Sequence, residues 1–118
     1  MKLIGSNIEK KIREVLINEH IALFKTNQYL RLTQVLKMHF PNMKTAYFLE
    51  HTPEQGEDIY TLLVDIDMVV KIEISRDNSE IPIVEVGCVR DFRIGLSKIN
   101  QIKMDVAIDL AKKDITDG

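Results

Sequence analysis

The chain has 118 residues, of which 45% are hydrophobic and 29% charged, with a net charge of −2. That length suits one domain, because two would each be too small to bury an adequate core, and the balance excludes disorder and collagen-like repeats. No apolar run reaches the roughly 18 to 20 residues that cross a bilayer, and the opening MKLIGSNIEKK turns polar too soon for a signal-peptide core, so a cytoplasmic protein without membrane contact is expected.

Ser6 followed by Glu9 fits a capping box, which predicts a helix from Asn7. Ile8, Ile12, Val15, Leu16 and Leu23 recur at helical spacing and give it an apolar face to about residue 24, widened by Ile17, Ile21 and Phe24. Glu19 falls at the edge of that face, where Arg31 or Lys37 would be its partner. KTNQ at 25–28 interrupts the pattern, and Leu32, Val35 and Leu36 restart it over about 28–39. Pro41 ends the second run, since the residue before a proline is pushed out of helical geometry. The spacing does not decide between two helices and one bent helix.

From Lys44 the period changes. TAYFLEH, IYTLLVDI, MVVKIEIS and PIVEVGCV are short runs rich in β-branched and aromatic residues, separated by turn-forming stretches. Met68, Val70, Ile72 and Ile74 alternate with Val69, Lys71 and Glu73, and Val84, Val86 and Cys88 alternate with Glu85 and Gly87. This is the pattern of an antiparallel sheet with one covered face. Ser97 then caps a last helix with an apolar stripe of Ile99, Ile102, Val106 and Leu110. The expected fold is α+β in two layers, in the order α-α-β-β-β-β-α. A four-stranded, mainly antiparallel meander over residues 44–89 is covered by helices on the face bearing Val70, Ile72, Val84 and Val86.

Few residues suggest chemistry. EHTPEQGEDIY at 50–60 reads as a hairpin connection, in which Pro53 restricts φ, Gly56 supplies a positive φ and the carboxylates stay in water. A metal site using His51 with Glu50 or Glu54 is disfavoured, because adjacent strand residues point to opposite faces. Asp65 and Asp67 in DID would share a face of an extended strand, as a divalent cation requires, with Lys71 and Glu73 following; the plainer reading is a turn. The restriction-endonuclease-like pattern requires an acid where this chain has Val69. Cys88 is the only cysteine, so no internal disulfide can form; it reads as a small core residue in a reducing compartment. The scattered glycines form no phosphate loop or dinucleotide fingerprint.

Charge is distributed unevenly. Residues 1–49 carry eight basic and three acidic side chains, while residues 50–118 carry eight basic and fifteen acidic ones. Glu50, Glu54, Glu57, Asp58, Asp65 and Asp67 fall in one stretch without Lys or Arg. With no catalytic set, these residues suggest a small protein-binding module, immunity- or antitoxin-like, that docks a basic partner protein. No cofactor or metal is expected, and a homo-oligomer is left open. Two alternatives remain: a nuclease-like metal-dependent enzyme using Asp65 and Asp67, and a nucleic-acid-binding regulator using Lys10, Lys11, Arg13, Arg31 and Lys37 of the first two helices.

Overall fold

The structure is a computed structural model that describes residues 2–77 and 79–117, with side chains described over 7–77 and 79–116. Helix α1 (Lys2–Lys25) and helix α2 (Leu30–His39) precede strands β1 (Ala46–Glu54), β2 (Glu57–Val64), β3 (Met68–Ser75) and β4 (Ile83–Cys88). A five-residue helix α3 (Val89–Arg93) and the long helix α4 (Lys98–Asp117) follow. The strands form one antiparallel sheet in the order β1-β2-β3-β4. The α+β class and the meander are therefore as the change of period at Lys44 predicts; α3 is additional.

The first two helices are separate. Thr26 Oγ1 donates to Ala22 O at 2.6 Å and accepts from the Gln28 amide at 3.1 Å, which closes α1 and turns the chain. Thr33 Oγ1 then donates to Leu23 O at 3.0 Å and fixes α2 against the end of α1. The start of α1 differs from expectation: the helix begins at Lys2, so Ser6 lies within it rather than at its N-cap, and the Ser6 side chain is outside the described set. Ser97 does cap α4, accepting the Asn100 amide at 3.2 Å.

One sheet face carries the expected core. Phe48, Tyr60, Leu62, Val64, Val70, Ile72 and Ile74 pack there against Leu23 of α1 and Leu32, Val35 and Leu36 of α2. Cover on one face only is the part that needs correction. Tyr47, Leu49, Leu63 and Val69 of the opposite face form a second buried cluster with Leu16, Met104, Val106, Ala107, Leu110 and Ala111 of α1 and α4. The cause is visible in the unbroken runs AYFL and TLLV, which are apolar on both sides as strands buried between two layers are.

Ile12, Leu16 and Leu23 form the buried seam of α1, while Ile8, Val15, Ile17 and Ile21 remain exposed. Val86, expected beneath a helix, is also exposed. The ten residues of α2 make a rod about 15 Å long, and the core they cover ends near Val84.

Candidate functional site

The second cover does not extend along the whole sheet. Beyond Leu49, Leu63 and Val69 the same face is open and forms a trough of about 570 Å³. Ile59, Thr61 and Val69 form its floor, and Asp91 and Phe92 of α3 stand at one side. Glu50, Glu54, Glu85 and Asp91 border it, with Lys71 as the one basic residue in the lining.

A β-bulge in β1 puts the acids there. Phe48 pairs with Leu62 and Glu50 with Thr61, so Leu49 is the extra residue. An extra residue reverses the alternation beyond it. Ala46 and Phe48 therefore face the α2 side with His51, while Tyr47 and Leu49 share the other side with Glu50, Thr52 and Glu54. In β3 and β4, Lys71 and Glu85 are direct cross-strand partners on the same face as the trough. Gly87, opposite Val69, leaves bare backbone between Glu85 and α3.

α3 is held by packing of Val89 and Phe92 on the second cluster and by two bonds. The Val89 amide donates to Asp67 O at 3.1 Å, and Arg93 reaches Asp105 of α4 at 2.6 Å. Among the described residues Glu50, Glu54 and Glu85 take part in no ion pair, and Asp91 meets only its exposed neighbour Arg90 at 3.7 Å. Lys71 is thus the one basic residue in the trough lining, with Lys103 beside Glu50 in the adjoining cleft.

The six acidic residues singled out in the sequence separate in space. Glu50 and Glu54 line the trough. Glu57 opens β2 beside a two-residue turn, Gln55 and Gly56, where Gly56 has φ +80°. Asp58 faces the other side. Arg76 donates to both its oxygens at 3.2 Å and His51 Nε2 lies 2.9 Å away, so the Arg76 bonds first, and His51 second, hold its carboxyl below the usual range. His51 also stacks on Tyr60 at 4.5 Å.

Asp65 and Asp67 lie at the far end of β2, in the turn to β3, about 25 Å from the hairpin tip. Asp65 adopts φ 56°, and its carboxylate accepts the Lys44 and Thr45 amides at 2.8 and 3.1 Å, tying the start of β1 to the end of β2. Glu73 lies six residues beyond Asp67, about 20 Å along an extended chain. Among the described residues no three His, Cys, Asp or Glu side chains are grouped to hold a metal ion. On the helices, Arg13 is held by Asp109 at 2.9 Å and Glu9 at 3.5 Å, while Lys10, Lys11 and Lys37 are exposed. Arg31 donates to Ser75 O at 2.8 Å beside a smaller cleft of about 230 Å³ that also contains Arg76.

Sequence reasoning missed Glu85, Asp91 and Phe92 as members of this surface, because only the fold brings β4 and α3 onto the same sheet face as the outer part of β1. It also missed a polar tie in which Thr45 Oγ1 and Tyr47 Oη donate to Asp114 at 2.8 and 2.5 Å, with His20 stacked on Tyr47. Burial, followed by the Asp114 contact, pushes the Tyr47 phenol above its ordinary range. Cys88 is half-buried where β4 meets the trough.

No helix is long and apolar enough to cross a membrane among the described residues. No protein-family model, curated protein or solved structure matches the chain.

Proposed function

We propose that this chain is a cytoplasmic protein-binding module whose open sheet face receives a basic partner protein, in the manner of an immunity protein or antitoxin that covers a basic catalytic surface. The trough carries the reading: Glu50, Glu54, Glu85 and Asp91 border a largely apolar floor in which Lys71 is the one basic lining residue. An apolar floor favours contact, and a rim of one sign accelerates encounter with the opposite sign and disfavours phosphate backbones.

The test begins with capture from the native host, using the chain and its E50K/E54K/E85K variant as paired baits. The expected result is a basic protein held by the unmodified chain and lost by the variant. With that protein purified, charge reversal should slow association more than it speeds dissociation, and salt should mute the difference. Gly87→Leu probes shape without charge. A Cβ at Gly87 meets only Val69 O at 3.9 Å, so the variant should fold, fill the trough and weaken binding. Unchanged association in both variants would defeat the proposal.

A further inference from the structure

We propose, resting on that reading of the trough, that the partner contributes an extended segment that adds to the free edge of β4, with Lys or Arg on the trough side and apolar residues on the other. The two edges of the sheet differ. At β1, α1 covers the first half of the strand: His20 Nδ1 lies 2.9 Å from Ala46 O, and Leu16 is buried with Tyr47 and Leu49. At β4, β3 and the short α3 that follows are the main packed neighbours, with Val84 against the edge of the first cluster. Ile81, Ile83 and Val86 are 88, 53 and 59% exposed along it. A strand edge with unpaired amides and carbonyls, flanked by exposed β-branched side chains, is a template for another strand.

Charge decides which strand fits. Pairs across a strand ladder share a face, so a segment added to β4 places alternate side chains beside Glu85 on the trough side and beside Val84 and Val86 on the other. A second copy would put its own β4, with another Glu85 and no Lys or Arg, against this one. Like charges close together on one face oppose that pairing. A foreign segment with Lys or Arg at every second position meets Glu85 one strand spacing away, on the face that Asp91 also borders. Glu50 and Glu54 are three spacings from β4, about 14 Å, and so engage residues flanking the added strand rather than the strand itself.

The probe is a ten-residue synthetic peptide alternating Lys and Val, titrated into the full chain at low salt below the peptide's self-association limit. Binding is read by fluorescence anisotropy and by amide hydrogen exchange. Saturable binding should slow exchange along β4 and leave the β1 amides unchanged, and Glu85→Lys should weaken it roughly tenfold. Alternate residues of a strand turn their amides to opposite edges. A peptide N-methylated at every Val amide and one N-methylated at every Lys amide should therefore differ, one losing binding and the other keeping it. Equal binding by those two, or by a scrambled peptide, overturns the added strand; if E50K/E54K/E85K still weakens such binding, the acidic trough survives without it. Indifference to all these carboxylates overturns both readings. A dimer of the chain formed through β4 that excludes the peptide also overturns the added strand.

Discussion

The β1–β2 hairpin has two unlike ends. At its base, Ala46–Leu49 and Leu62–Val64 are buried between helices on both sides of the sheet. Toward its tip, the same two strands continue in register from Glu50 to Glu57, yet Glu50–Glu54 are exposed. The tip relies on its backbone ladder, the His51–Tyr60 stack and the Asp58–Arg76 contact, all close to water. The pairing needs no cover to persist, so one hairpin can anchor a core and also carry charges away from it. Burial is concentrated where the chemistry is bland, and the unpaired carboxylates lie where burial would be costly.

The largest effects should come from the base. Ile72→Ala on one face and Leu63→Ala on the other should each cost about 2 to 5 kcal/mol in urea denaturation, because both side chains are fully buried. Thr52→Ala at the tip should change stability by less than about 0.5 kcal/mol. A loss at Leu63 below about 1 kcal/mol would break the comparison, since the second cover would then contribute little.

The turn that holds the base together comes next. Asp65→Ala should cost roughly 1 to 3 kcal/mol, because alanine tolerates φ 56° poorly and leaves the Lys44 and Thr45 amides without their acceptor. Asp65→Gly removes the acceptor but accommodates the backbone, so it should cost less by about 1 kcal/mol. Equal losses would assign the whole effect to the carboxylate.

Glu19 of α1 gives a smaller effect that depends on pH. One of its carboxylate oxygens is buried with no hydrogen-bond partner among the described residues, and burial raises its pKa, opposed by Lys103 and then by His51. The partners expected from the sequence, Arg31 and Lys37, are not the charges that bear on it. A folded-state pKa above the unfolded one means that the folded protein binds the proton more tightly. Stability therefore falls as pH rises from the ordinary glutamate range through the raised value, and stays lower above it. Glu19→Gln should raise stability near pH 7, with the difference closing as pH falls into the ordinary glutamate range, as measured by thermal melts. An equal gain at both ends of that range would indicate packing rather than ionisation.

Most of the fold was legible because period is a local property. The change at Lys44, the Gly56 turn and the Ser97 cap each depend on a few adjacent residues. The second apolar cover was also written in AYFL and TLLV, but the cleaner alternation of β3 and β4 invited a one-sided reading. The candidate site was only half legible. Glu50 and Glu54 were singled out, while Asp58 and Asp65 proved to be held by Arg76 and by backbone amides, respectively. Glu85 and Asp91 could not be assigned to the same surface before the strand order was known. Hydrophobic pattern likewise says little about which apolar side of α1 meets the sheet, because Ile8, Val15, Ile17 and Ile21 match the buried residues in type.

The bulge at Leu49 lets β1 set two successive side chains, Leu49 and Glu50, on one face, so the last apolar residue of the second cluster and the first acid of the trough are neighbours in the chain. Loss of Leu49 alone would restore plain alternation from Phe48 opposite Leu62 to Glu50 opposite Thr61, leaving Glu50, Thr52 and Glu54 on the trough side and taking one buried side chain from the core. In any alignment or redesign of this chain, a gap at Leu49 therefore bears on the core and not on the acidic border.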